Sequence, residues 1–499
     1  MRRVWGRELA GWVGALALAL ITTAQVATSA RSELLFRDGD SLIVALFSRS
    51  LLSGQPMDWA MSSVLFLPEA AVFAGLDTIL PLEVDGLLAV NAVVNLLALY
   101  GALRLVAGRR REASAPVAWS LLGLAAFCAL AMTGASASRD ALELASLQLT
   151  TTYYSATVVA VVLSIGLIRR VIDRTAGGVI PLIVLGLVAL VSTLSNPLYA
   201  VWATVPIALL LAVMTFRSTQ KVRMVTVLAV LLCGTALGFL GRIPLRAWIA
   251  NTGAGYAQPE LWNESLGYYG DLLVHRLSSP AGIIGSLIVL ALLVLAVRRT
   301  AVAEDPGGRF VAAVAWIMPV LVVVGAIALG THAARYLQPL AFAPVLALVA
   351  APRAVRIPVR ARTLLAAVSA ALLVVAGALS VPRLTAATQV ADPDLSCVTD
   401  WVDASGRTGA GQFWTVRLPK LHLKDPVHLV QVDHELRGYA WLVDRRDFDV
   451  GDVSFLVEDA QTVAWHLPVP AIPDEVVDCG RYRILDFGST ALPLGPQRS

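Results

Sequence analysis

Charged residues are scarce in this sequence, and their scarcity excludes one large soluble core. Only 15% of the 499 residues are Asp, Glu, Lys or Arg, whereas soluble domains average about 25%. Hydrophobic residues make up 57%, and the mean hydropathy is +0.72. The length excludes a protein that is only a single-span anchor. The abundant Leu, Ala and Val argue against an outer-membrane barrel, whose strands would alternate apolar and polar residues. The fold class that remains is an all-α polytopic membrane protein.

Motifs for nucleotides and metals are missing as well. The chain has no G-x-x-x-x-G-K-[ST] loop and no G-x-G-x-x-G after a strand, which argues against an ATP-driven pump. It has no H-E-x-x-H pattern and no convincing metal spacing. The net charge of +4 and the pI near 9.0 would suit nucleic acid, but Arg clusters in short connections between apolar runs. Such clusters set membrane orientation, so no nucleic-acid partner is expected.

About eleven apolar runs approach the roughly 20 residues with which a helix spans a bilayer. These predicted spans lie near residues 9–29, 85–106, 117–134, 154–168, 178–195, 199–216, 224–241, 281–297, 310–330, 337–351 and 363–381.

Arginine and lysine are distributed unequally between alternate connections. Up to residue 381, 20 fall on the set that starts with the N-terminus and 8 fall on the other set. The bias predicts a multi-pass protein of the plasma membrane with a cytoplasmic N-terminus and the tail outside. Residues 27–30 also fit a signal-peptide cleavage site. We favour an uncleaved anchor, because the first run is long enough to span.

The composition changes near residue 382. Residues 1–381 are predicted to form the multispan domain, and residues 382–499 a small extracytoplasmic domain, α/β or β-rich, with short apolar stretches between Gly, Pro and Asp turns. Cys397 and Cys479 lie in this tail, where the compartment should be oxidising. We predict a disulfide between them. Two free thiols or a metal pair are the alternatives.

The predicted outer loop, residues 31–84, begins with two carboxylates in Asp38-Gly39-Asp40. Residues 42–52 then show helical spacing of apolar residues, and a second possible helix starts at Pro68-Glu69. Both helices would lie on the outer membrane surface.

This arrangement resembles the GT-C superfamily of membrane glycosyltransferases, in a bacterial member. That superfamily has a first helix from the cytoplasm, a long first outer loop with interfacial helices, many later spans and often an outer C-terminal domain. The resemblance also touches the stretch Arg335-Tyr336-Leu337-Gln338-Pro339, which opens a late span. The chain departs from two branches: it lacks the adjacent Asp-Glu pair of protein O-mannosyltransferases and the Trp-Trp-Asp motif of bacterial oligosaccharyltransferases.

The resemblance implies hexosyl or pentosyl transfer from a polyprenyl-phosphate donor to an envelope glycan, lipid or protein. Asp38 or Asp40 would be the catalytic base, since the acceptor hydroxyl must lose a proton as it attacks the sugar. Arg335 would bind the donor phosphate, because its planar guanidinium suits a phosphate group. Some GT-C enzymes use a divalent cation, which would lie near the two aspartates. Substrate-binding roles are also expected for His332, Tyr336 and Glu69.

Other interpretations remain open. Asp40 before an apolar run is also a good helix N-cap, and Asp38-Gly39 a good turn. Glu69 would equally suit the first turn of a helix. Arg335 would also serve as an interfacial anchor. The alternative function is a non-enzymatic transporter or flippase of lipid-linked envelope precursors.

Aromatic residues concentrate in the third outer loop, at Tyr256, Trp262, Tyr268 and Tyr269. They would suit stacking on sugar rings, and an aromatic belt at the membrane interface explains them about as well.

Overall fold

The computed structural model describes residues 2–54, 56–109, 114–173, 178–217, 220–353 and 358–498. The chain forms two compact units. Unit 1 comprises Met1–Ser32, Leu88–Ile243 and Gly255–Thr388, and unit 2 comprises Glu33–Leu87, Pro244–Ala254 and Gln389–Ser499. Four arginines used to predict orientation, namely Arg110, Arg111, Arg174 and Arg356, lie outside the described residues.

Helices dominate the described chain. In chain order they are α1 Arg2–Ala27, α2 Ile43–Leu52, α3 Leu67–Ile79, α4 Val84–Val106, α5 Pro116–Met132, α6 Ser155–Ile172, α7 Val179–Ser195, α8 Val205–Arg217, α9 Lys221–Gly241, α10 Trp262–Leu277, α11 Pro280–Val302, α12 Pro306–Ala328, α13 Pro339–Phe342, α14 Leu346–Ala350, α15 Val359–Thr388, α16 Pro393–Ser405 and α17 Phe413–His422.

Strands are short and concentrate in the tail. In chain order they are β1 Trp59–Ala60, β2 Gly409–Gln412, β3 Leu429–Val432, β4 Arg437–Tyr439, β5 Val443–Asp444, β6 Asp452–Val453, β7 Phe455–Glu458, β8 Glu475–Cys479, β9 Tyr482–Asp486, β10 Leu492–Pro493 and β11 Gly495–Arg498.

Within the described residues, seven helices are long and apolar enough to cross a membrane. They are Trp5–Ala27, Val84–Val106, Ser155–Ile172, Lys221–Gly241, Pro280–Val302, Pro306–Ala328 and Thr363–Thr388. All seven coincide with predicted spans, so the prediction of a mostly helical protein with several helices able to span a membrane is confirmed. The other four predicted runs coincide with shorter apolar helices: Pro116–Met132, Val179–Ser195, Ala200–Phe216 and Ala334–Ala350. Eleven spans therefore stay a prediction.

The run predicted at 337–351 is not one continuous helix. A 3-10 turn at Ala334–Leu337 leads into the two short helices α13 and α14. Pro339 and Pro344 each lack the N–H that a continuous helix would use. The break leaves Thr331–Gln338 as an irregular segment, and this segment carries three of the predicted site residues.

Close helix packing in unit 1 depends on small residues. A Cβ at Gly234 of α9 would lie 2.6 Å from the carbonyl oxygen of Gly186 in α7. Glycine therefore lets the two backbones approach, as small residues do between membrane helices.

The tail forms a mixed seven-stranded sheet among the residues described. Its order is β11-β4-β3-β2-β7-β9-β8. Strand β2 pairs in parallel with both β3 and β7, and β11 pairs in parallel with β4. The pairs β3–β4, β7–β9 and β8–β9 are antiparallel. The predicted β-containing domain is confirmed, and it carries helices α16 and α17 as well.

Successive residues of one strand pack on opposite faces of this sheet. Phe455 packs into one apolar cluster with Val416 and Ile484, whereas Leu456 packs into another with Val430. This alternation follows from the two-residue period of a strand. The predicted disulfide is confirmed: Cys397 on α16 bonds to Cys479 on β8, with Cα atoms 5.6 Å apart.

Unit 2 also contains most of the predicted outer loop, Glu33–Leu87, which the sequence had assigned to the multispan domain. Strand β1 pairs with β5 through Trp59↔Asp444 and Ala60↔Val443. Helices α2 and α3 form where helical spacing predicted them, and they pack against each other. However, Ile43–Ser48 is buried within the protein. The apolar side of α2 is thus largely covered by its own chain and not left for a membrane surface.

Candidate functional site

The Asp38-Gly39-Asp40 turn connects a π-helical turn, Glu33–Arg37, to helix α2. Asp38 Oδ2 accepts hydrogen bonds from the backbone N–H and the hydroxyl of Ser41, at 3.1 and 3.3 Å. The N-cap position of α2 is Leu42, with no side-chain capping bond. Asp40 therefore does not cap this helix, while Asp38 does take the turn-forming role. Both aspartates are half-buried.

This turn rests on the first turns of α17, within the same unit. A Cβ atom at Gly39 would lie 3.1 Å from the Trp414 ring and 3.3 Å from Arg417 Cδ. Glycine permits that close approach because it has no side chain. The two carboxylates are thereby carried over an aromatic ring and the stem of an arginine.

Arg417 is fully buried, with 1% of its surface exposed. Its Cζ lies 3.9 Å from the Phe413 ring centroid, which is a cation–π arrangement. Nη2 donates to the carbonyl oxygens of Trp441 and Leu442 at 2.9 and 2.8 Å. Among the described residues, Nε and Nη1 have no hydrogen-bond partner. This guanidinium thus keeps unused donors inside the protein.

The electrostatics of Arg417 link it to the aspartates. Burial lowers the pKa of Arg417 to about 9, whereas the charge of Asp40, the Tyr439 phenol and the charge of Asp38 act in the opposite direction. A buried cation is favoured by nearby carboxylates, since they offset the loss of hydration. The turn and α17 therefore form one electrostatic group in unit 2.

Glu69 lies in the first turn of α3 and is 7% exposed. The residue before that helix, Phe66, has a left-handed backbone with φ of 50°. The position is the one that a first-turn acidic residue takes beside the positive end of a helix dipole. A substrate-binding role for Glu69 stays a prediction.

Arg335 lies in the irregular segment of unit 1 and is 22% exposed. Its Nη1 is 3.5 Å from Asp140 Oδ1, and its Nε donates to the Tyr154 hydroxyl at 3.3 Å. Its Cζ is 5.6 Å from the Tyr336 ring centroid. Asp140 is 40% exposed, so the ion pair is accessible from solvent. An incoming anion would therefore compete with the Asp140 carboxylate for Arg335.

His332 precedes Arg335 and has different neighbours. Its exposed ring lies 5.4 Å from the ring of Tyr268 on α10. The adjacent Thr331 shares a 2.7 Å hydrogen bond with the hydroxyl of Tyr269. Helix α10 therefore holds the start of this segment, and the predicted substrate-binding residues His332, Arg335 and Tyr336 share one segment of unit 1.

Unit 1 contains a buried ionic cluster that the sequence analysis did not predict. Arg31 is 1% exposed, and its Nη1 lies 3.6 Å from Glu143 Oε2. Arg276 Nη1 lies 3.1 Å from the other carboxylate oxygen. From the sequence, Arg31 and Arg276 are only arginines in loops. The residues around them do not indicate a contact with Glu143, which is more than a hundred residues away. Arg417 was missed for the same reason.

Among the residues that the structure describes, no three His, Cys, Asp or Glu side chains are grouped so that they could hold a metal ion.

No protein-family model matches the chain, and no curated protein matches it significantly.

Proposed function

We propose that this protein is a membrane glycosyltransferase of GT-C-like architecture. It moves a sugar from a polyprenyl-phosphate donor to an acceptor of the cell envelope. The observation that carries the proposal is the Asp38-Gly39-Asp40 turn, which bears two half-buried carboxylates and whose Gly39 lies against Trp414 and the buried Arg417. A turn used only for connection would not need that buried cation.

Asp40 is the better candidate for the base. Its charge acts more strongly than that of Asp38 on the pKa of the buried Arg417, and Asp38 Oδ2 accepts the two hydrogen bonds from Ser41 that form the turn. In the reaction, the Asp40 carboxylate takes the acceptor's hydroxyl proton as the acceptor oxygen attacks the anomeric carbon. The bond from that carbon to the phosphate oxygen breaks, and the phosphate leaves with the electron pair.

We assign Arg335 to the binding of the leaving phosphate because of its surroundings in unit 1. Its guanidinium is partly exposed and is paired with an exposed carboxylate, Asp140. A phosphate carries more charge than a carboxylate and accepts two parallel hydrogen bonds from arginine. The phosphate would therefore replace Asp140 as the partner of Arg335.

The same proposal includes eleven spans, a cytoplasmic N-terminus and an outer C-terminal domain. Cysteine labelling from each side of the membrane tests the orientation. In a Cys233→Ser background, Arg298→Cys should react only from the cytoplasm and Lys424→Cys only from outside, and both positions are exposed. Labelling of position 424 from the cytoplasm would reject the proposed orientation and with it the outer-face chemistry.

The reaction is tested by transfer of a labelled sugar from polyprenyl-phosphate donors in membranes that contain each variant. Asp40→Asn should lower turnover about 10²–10⁴-fold, because the amide cannot accept the proton. Glu33→Gln is the matched control, since Glu33 lies in the same loop and is 49% exposed. This control should transfer at the wild-type rate.

Two outcomes would reject the proposal. If Asp40→Asn and Asp38→Asn, alone and combined, leave the transfer rate unchanged, neither aspartate takes part in the reaction. Alternatively, the wild-type protein could transfer no sugar yet move lipid-linked precursors across vesicles, which would identify a flippase.

A further inference from the structure

Helix α10, Trp262–Leu277, presents three distinct surfaces along its length. Its buried surface is polar: Ser265 is 0% exposed and Tyr269 is 6% exposed. Ser265 Oγ donates to the Thr331 carbonyl oxygen at 2.7 Å, and the Tyr269 hydroxyl bonds to Thr331 Oγ1. The helix is therefore attached to unit 1 by hydrogen bonds rather than by an apolar stripe.

The second surface is apolar and exposed. Trp262, Leu266, Leu273 and Leu277 are 42–53% exposed. They are spaced by four, seven and four residues, so they form one stripe along an α-helix. A water-soluble helix would show the opposite arrangement, with its apolar stripe against the protein. Here the protein takes the polar stripe and leaves the apolar one outside.

The third surface is polar and exposed. Glu264, Asp271 and His275 are all exposed, and at 100° per residue they fall together on the side away from the apolar stripe. One exposed side of the helix thus suits hydrocarbon and another suits water. A helix with this division lies at a boundary between the two.

The chain after α10 shows which boundary this is. Only Ser278 and Ser279 separate α10 from α11, Pro280–Val302, one of the helices able to cross a membrane. The start of α11 exposes Ile283, Ile284 and Leu287, at 42–58%. The exposed apolar stripe of α10 is therefore continuous in sequence with a surface that suits lipid.

We propose that α10 is an interfacial helix, with its Trp262–Leu277 stripe in lipid and Glu264 and Asp271 in water. This assigns Trp262 to the membrane interface and not to sugar binding. It does not depend on the transfer reaction, and only the choice of the outer leaflet rests on the orientation proposed above. Because Tyr269 and Ser265 bond to Thr331, the membrane surface would also fix the segment that carries Arg335.

Spin labels on the full-length protein in phosphatidylcholine–phosphatidylglycerol vesicles test the proposal. Single cysteines replace Leu266 and Leu273 on the stripe and Glu264 and Asp271 on the polar side, in a Cys233→Ser background that retains the disulfide. Labels at 266 and 273 should collide with oxygen, which concentrates in lipid, severalfold more than with a water-soluble nickel chelate. Labels at 264 and 271 should show the reverse preference.

Two results would overturn it. If all four labels collide mainly with the nickel chelate, the stripe is in water. If labels 266 and 273 are shielded from both reagents, protein covers the stripe, and spin–spin coupling between copies would identify a second chain as the cover. Normal elution of each variant as a monodisperse, disulfide-bonded protein establishes that folding is intact before labelling.

Discussion

Each unit contains an arginine with only 1% of its surface exposed, and the surroundings of these two arginines differ. Arg31 in unit 1 and Arg417 in unit 2 are both 1% exposed. Arg31 donates through Nε to Ser146, through Nη1 to two backbone carbonyls and through Nη2 to a third, and it also pairs with Glu143. Arg417 uses Nη2 alone among the residues described.

The difference separates a structural cation from a candidate functional one. A buried guanidinium whose donors are all matched stabilises the fold around it. A buried guanidinium with unmatched donors costs stability, because those donors have lost water without gaining a partner. Such a cost is expected where function requires the charge, and Arg417 lies against Gly39, between the two candidate catalytic aspartates in the sequence.

Loss of the matched arginine should have the largest effect on stability. Arg31→Met should destabilise unit 1 by about 3–5 kcal/mol, since it removes one partner of a buried ionic cluster. The measurement is the temperature at which the buried Cys128 of unit 1 becomes reactive towards a fluorescent maleimide, in a Cys233→Ser background. Arg139→Met is the control, because Arg139 is 30% exposed. Equal shifts for the two variants would contradict the structural role of Arg31.

The disulfide should contribute the next largest effect, and in unit 2 alone. Replacing Cys397 and Cys479 together by alanine should destabilise unit 2 by about 2–4 kcal/mol, because the bond closes a long loop in the unfolded chain. Limited proteolysis of the tail over a temperature series measures the change. The temperature at which Cys128 reacts should stay the same. A parallel fall in both transitions would show that the units do not melt separately.

Arg417→Met should have a smaller effect on stability than Arg31→Met. The variant loses two hydrogen bonds to carbonyl oxygens, but it also removes a desolvated charge with unmatched donors. We expect a net change of about 1 kcal/mol or less in unit 2, measured by the same proteolysis. A loss as large as that for Arg31→Met would mean that Arg417 is a structural arginine, and it would contradict the distinction drawn between the two arginines.

The smallest expected effect is a loss of folding stability at acidic pH. Arg407 donates to both oxygens of Asp486 at 2.8 and 2.7 Å, and these bonds lower the pKa of Asp486 below its ordinary value of 3.8. The folded state therefore gains stability from this pair above about pH 4, and it loses that gain as the pH falls through the lowered pKa. Near the surface the gain should be at most about 1 kcal/mol.

Urea unfolding of the tail between pH 6 and pH 3 measures this loss. Asp486→Asn should flatten that part of the pH dependence. If the variant and the wild-type protein lose stability in parallel as the pH falls, the Arg407–Asp486 pair does not contribute to the loss of stability in acid.

Features encoded in contiguous residues could be predicted well. The runs at 85–106 and 310–330 became helices α4 and α12, because a spanning helix needs only a local stretch of apolar residues. The disulfide followed from the position of two cysteines outside the apolar runs. Helices α2 and α3 followed from helical spacing.

Features that depend on distant contacts could not be predicted. Nothing in the segment around Arg417 indicates that Gly39 would rest on its side chain, since the two residues are far apart in the sequence. The parallel pairing of β2 with β3 and β7 was missed because short apolar stretches do not reveal strand direction. Helices α16 and α17 were missed because the Gly, Pro and Asp residues around them favour turns.

The pairing of β1 with β5 has a consequence for biosynthesis. Ala60 and its partner Val443 are separated by roughly 380 residues, which a ribosome adds in roughly 20–80 s at about 5–20 residues per second. During that interval Trp59 and Ala60 lack the strand with which they pair in the folded protein. Unit 2 therefore cannot be completed before β5 has been synthesised.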